Sequence, residues 1–142
     1  MGCKKKFQLF CYRYVEAIAV VNQLIRSGKA VISTQVIKEF FIATTRTRRR
    51  RGAACRQTSL LTPAEAVVRM RNYSAACHVL NITRLISLEA IRGVEIHYFG
   101  FWDAQIWATA RLNQIEEVYT EDFASGATVE GVRFTNPFVE AL

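Results

Sequence analysis

Short apolar runs alternate with amphipathic helical patterns along most of this chain, and no other feature constrains its fold as tightly. Ala30-Val31-Ile32-Ser33, Cys77–Ile82, Glu116–Thr120 and Val132–Thr135 read as short strands. Helical patterns lie between them, and strands joined through helices run parallel in a sheet covered on both faces. The expected fold class is therefore α/β.

The helix signals are local. Residues 15–27 place Ile18, Val21 and Ile25 on one face, and Gly28 is a suitable stop. Ser33 or Thr34 can cap a helix over Gln35–Thr45. Thr62-Pro63-Ala64-Glu65 combines a cap, a first-turn proline and a capping-box glutamate, which starts a helix running to about Ala76. Thr83 is expected to cap a helix ending near Gly93, and a further helix is expected over Trp102–Gln114. Gly126 and Gly131 mark turns. Phe7–Tyr14 has strand composition but contains no carboxylate.

Charge is unevenly placed. The formal net charge is +7, yet residues 1–71 carry 15 Lys or Arg against 3 acids, and residues 72–142 carry 4 against 9. A basic half beside an acidic half suits a metal centre next to a polyanion track. Five arginines, Arg46, Arg48, Arg49, Arg50 and Arg51, crowd one linker. They cannot pack together, and their guanidinium forks match phosphate oxygens. The alternative is a soluble loop. No apolar run approaches the roughly 20 residues of a membrane span. The start Met-Gly-Cys-Lys-Lys-Lys fails the myristoylation pattern because position 6 is Lys. Cys3, Cys11, Cys55 and Cys77 lack Cys-x-x-Cys spacing, which points to free thiols in a reducing compartment. His78 and His97 have no metal-ligand neighbour in sequence and read as structural or surface residues.

The acids carry the chemistry. Asp103 opens a helical pattern, and Glu121 and Asp122 follow the carboxyl end of a strand, where open α/β sheets bind ligands. Converging carboxylates repel unless a hard cation neutralises them. A structural alternative exists for Asp103, since a first-turn carboxylate complements the helix dipole. Glu39 lies between apolar residues on its helix. It is either at the rim of a site or on the solvent face.

Five blocks resemble the PIN domain, and more narrowly the VapC-type toxins of toxin–antitoxin pairs. They are Val31–Phe40, Leu61–Ala66, Phe101–Ala104, Tyr119–Phe123 and Gly131–Phe138, in the order and spacing of the family. The resemblance implies a three-layer α/β/α domain with a central parallel sheet over residues 16–138, followed by a tail at 139–142. It further implies a Mg²⁺- or Mn²⁺-dependent endoribonuclease, cytoplasmic, acting on RNA and held by an antitoxin, with homodimerisation as a family trait. Carried over, Asp103 and Asp122 take the direct metal roles. Glu39 is a second ligand or positions the attacking water, and Glu121 is an auxiliary neighbour. The arginines at 46–51 are candidate RNA contacts.

One departure matters. The family opens with a strand ending in an aspartate that is a principal metal ligand, and that strand is central in the sheet. Residues 1–15 are an atypical basic, aromatic segment without any acid, and the first acid is Glu16. A shifted frame, a misplaced start or a decayed gene would each produce this pattern. The alternative reading is accordingly a PIN-like protein without catalysis that binds RNA or an antitoxin.

Overall fold

The computed structural model describes residues 16–47 and 59–139. It is a mixed α/β structure in two compact units. One comprises Lys29–Ile82, and the other combines the chain up to Gly28 with the chain from Thr83 onward. The arginines at 48–51, the cysteines other than Cys77, and the Phe7–Tyr14 segment lie outside the described residues.

The Lys29–Ile82 unit is built from β1 (Val31–Ser33), α2 (Thr34–Thr45), α3 (Pro63–Ala76) and β2 (His78–Leu80). The two strands pair in parallel, with Val31 opposite His78 and Ser33 opposite Leu80. Ser33 ends β1 and caps α2 by accepting from the Val36 N–H. At α3 the capping box is complete. Thr62 Oγ1 accepts from the Glu65 N–H, and Glu65 Oε2 accepts from the Thr62 N–H at 2.8 Å. Two long-range bonds close the unit. The Leu61 N–H donates to the Thr44 carbonyl at 2.9 Å, and the Ile82 N–H donates to Thr34 Oγ1 at 3.2 Å. Between α2 and α3 the Phe40 and Tyr73 rings meet edge-on.

In the other unit, residues 16–26 form helix α1, which ends at Gly28 with a left-handed φ of +70°. Helices α4 (Arg84–His97) and α5 (Phe101–Leu112) pack against each other, and α5 packs against a small sheet. The sheet has the order β3 (Glu117–Tyr119), β5 (Val132–Thr135), β4 (Thr128–Val129). β3 and β5 run parallel, and β4 joins β5 as an antiparallel hairpin. The core comprises Trp107, Phe134 and Val132 with Ala104, Ala108, Ala90 and Ile86. Alanines on both helices allow close approach, and the indole fills the space they leave.

Three expectations differ from the structure. First, α4 continues past Gly93 to His97, so His97 closes a helix instead of lying in a loop. Gly93 is buried beneath Trp107, which explains a glycine inside a helix. Second, the hairpin strand β4 is two residues long, too short for a periodic signal. Third, the described strands form two sheets, of two and three strands, not a single one. No helix among the described residues is long and apolar enough to cross a membrane.

Candidate active site

The site residues begin with α5. Its N-cap is Gly100, which offers no side-chain acceptor, and Asp103 follows in the first turn. The Asp103 carboxylate folds back over the cap, since a Cβ at Gly100 would lie 3.4 Å from its Oδ2. A negative charge there is stabilised by the exposed N–H groups and dipole of the helix end. Asp103 is half-buried, and its neighbour Trp102 is largely exposed.

Glu121 and Asp122 follow the carboxyl end of β3. The Thr120 N–H still donates to the Thr135 carbonyl at 3.0 Å, and the chain then leaves the sheet. The Asp122 N–H donates back to Thr120 Oγ1 at 3.1 Å, which fixes the turn that presents the acid. Across the loop, the Gly126 N–H donates to the Phe134 carbonyl and the Asn136 N–H donates to Ser125 Oγ. Both acids are exposed.

Aromatic rings connect these two stretches. Phe123, immediately after Asp122, lies flat on Phe134, with centroids 3.9 Å apart and planes 4° from parallel. Phe99, one residue before the α5 cap, meets Phe123 edge-on at 5.0 Å. The start of α5 and the end of β3 therefore meet at one end of this unit. Such pairs contribute about 0.5–1.5 kcal/mol each beyond their buried area.

Glu39 belongs to the Lys29–Ile82 unit. It is exposed on α2, and its Oε1 accepts from Gln35 Nε2 at 2.7 Å. Arg46 follows α2 directly as its C-cap. No group of three or more His, Cys, Asp or Glu side chains among the described residues stands close enough to hold a metal ion. The donors nonetheless have the right chemistry for a hard cation. Mg²⁺ keeps several waters and is commonly held by only one or two carboxylates together with substrate phosphates.

A second polar cluster carried no recognised signal in the sequence. Glu130 occupies the two-residue β4–β5 turn with φ +47°, followed by Gly131 at +84°, the pattern of a hairpin turn with both central residues left-handed. Its carboxylate accepts from Arg92 Nη2 and Arg111 Nε, each at 2.7 Å, and lies 2.7 Å from His97 Nε2. Arg111 also pairs with Glu89 at 2.9 Å. Hydrogen bonds from Arg92 and then His97 hold the Glu130 carboxyl down to about 2, below its ordinary 4.5. Both guanidinium groups lie over Trp107, whose Nε1–H donates to the Val129 carbonyl at 3.2 Å. The cluster ties the β4–β5 hairpin to α4 and α5. The only hint in sequence is Glu130-Gly131 as a turn pair.

The Lys29–Ile82 unit also carries an apolar groove of about 690 Å³ between α2 and α3. Ile37, Phe41, Ile42, Val67 and Met70 line it, with Lys38 and Arg71 alongside. No family model, curated protein or solved structure matches the chain.

Proposed function

We propose that this protein is a Mg²⁺- or Mn²⁺-dependent endoribonuclease of the PIN/VapC toxin type, with the three-layer α/β/α domain of that family and a cytoplasmic site of action. One observation carries the reading most: Phe99 packs on Phe123, so the helix start bearing Asp103 and the strand end bearing Asp122 share one end of the same unit. Asp122 follows the carboxyl end of a parallel strand and Asp103 opens a helix, and both offer the hard oxygen donors a divalent cation takes.

Asp103 and Asp122 would hold the metal, with Glu121 as an auxiliary carboxylate. When bound, the ion supplies Lewis acidity to a phosphodiester oxygen and a water of lowered pKa. The protein's own part is to hold carboxylates ready as acceptors and to orient that water. Arg46 and the arginines at 48–51 attract the RNA backbone without reading its sequence. The partner in this reading is an antitoxin protein, and the groove between α2 and α3 is an apolar surface of the kind a partner helix covers. A homodimer belongs to the same reading.

The absence of any acid before Glu16 favours a second reading, a PIN-like protein that binds RNA or an antitoxin without cutting. Incubating the purified protein with single-stranded RNA and Mg²⁺, with and without chelator, separates the two. Cleavage abolished by chelator and by Asp103→Asn supports the nuclease. Cleavage that survives both overturns it, and RNA binding without cleavage selects the second reading.

A further inference from the structure

We propose that α4 pairs with α4 of a second copy of this chain, antiparallel, through the seam Arg84, Leu88, Ile91 and Glu95. These residues recur at intervals of four, three and four along the helix, the spacing that keeps one stripe facing a partner helix. They lie on the face opposite Ile86, Ala90 and Gly93, the buried residues of α4. Leu88 and Ile91, at the middle of the seam, are 56% and 54% exposed, and Leu85 on its flank is 65% exposed. Helix α4 is therefore apolar on two faces, and α5 covers one of them. The proposal goes beyond the nuclease reading and does not depend on it.

The charges at the two ends of the seam identify its occupant. Arg84 is the first residue of α4, and Glu95 lies in its last turn. Helix N-termini favour anions and C-termini favour cations, so each charge stands at the wrong end of its own helix. Both are exposed, and neither has an ion-pair partner among the described residues. The charges off the seam are already engaged: Glu89 and Arg92 pair with each other, Arg92 with Glu130, and Glu89 with Arg111. An antiparallel second copy resolves the mismatch. Leu88 then meets Ile91 of the other copy, Arg84 meets Glu95, and the same pairs repeat across the two-fold axis. Each charge also lies beside the opposite dipole end of the partner helix, where its sign is favourable. A parallel pairing would set Arg84 against Arg84, so the seam complements itself only in the antiparallel sense. Fourteen residues of helix span about 21 Å, which makes this a small interface and a reversible dimer.

Sedimentation equilibrium of the full chain over a series of protein concentrations, with no RNA or metal added, tests the pairing. Wild type is expected to show a reversible monomer–dimer equilibrium. Leu88→Gln changes a side chain that is already exposed on one helix. It is expected to raise the dissociation constant about 100-fold or more, since two-fold symmetry applies the change twice at the seam centre. Arg84→Glu and Glu95→Arg each set like charges against one another in a self-pair, and each is expected to weaken association about 5-fold or more. Each also agrees with the dipole of its own helix, so circular dichroism is expected to show an unchanged fold. An equimolar mixture of the two charge variants restores opposite pairs at both ends of the seam and is expected to recover wild-type association. Wild type that stays monomeric throughout, Leu88→Gln that dimerises like wild type, or a mixture that associates no better than either charge variant alone overturns the proposal. RNA cleavage is not the readout, so each of these results leaves the nuclease reading where it stood.

Discussion

A Cβ placed on Gly93 would lie 2.7 Å from Cζ3 of Trp107. The indole cannot yield easily, because its Nε1–H donates to the Val129 carbonyl and its ring carries Arg92 and Arg111. Gly93→Ala would gain up to about 1 kcal/mol of helix propensity. The overpacking costs about 1–3 kcal/mol. The expected result is a lower midpoint in urea unfolding. A midpoint equal to or above wild type would show that the indole moves freely.

The Glu130 cluster predicts acid sensitivity. The Glu130 carboxyl lies near 2 in the folded protein, against an ordinary value of 4.5. The unfolded state therefore takes up the proton first as pH falls. The stabilisation is fully present above about 4.5, declines below it, and is gone once the folded carboxyl protonates near 2. Glu130→Gln should flatten the melting temperature between those pH values relative to wild type. Parallel curves would exclude Glu130 as the source.

Thr83 caps α4 by accepting from the Ile86 N–H at 3.3 Å. Thr83→Ala leaves that donor without its side-chain acceptor and should cost about 1 kcal/mol, within the usual 0.5–2 kcal/mol for such caps. Thr83→Ser keeps the acceptor and should recover most of it. Thermal or denaturant unfolding of the two variants measures the difference.

Under the proposed nuclease reading, Asp103→Asn and Asp122→Asn should each lower Mg²⁺-dependent RNA cleavage by about 100-fold or more, at or beyond the upper end of what loss of a merely supporting residue produces. Arg46→Ala should instead weaken RNA binding and reduce its salt dependence, with the metal requirement intact. An Asp122→Asn protein that cleaves at the wild-type rate would remove that carboxylate from the site.

Much of the local architecture was legible without coordinates. Ser33, Thr62-Pro63-Glu65 and Thr83 start helices where cap chemistry says they should, because a cap is decided within four residues. Gly28, Gly126 and Gly131 all adopt left-handed φ values at turns. Glycine is a common helix stop, yet α4 runs on past Gly93 to His97. At Gly93 it is a packing residue, and only the indole from α5 reveals that. β4 escaped because two residues show no period.

The sequence by itself determined where strands and helices alternate, where the helices begin, and which residues can offer hard oxygen donors. Each of these is settled by near neighbours along the chain. Tertiary structure decided which groups meet. Glu130 reaches Arg92 and His97 across 38 and 33 residues. Trp107 selects a glycine on another helix, and Phe99 finds Phe123 across the whole of α5 and β3. Contacts of that range depend on how the elements pack, and no periodicity or spacing records them.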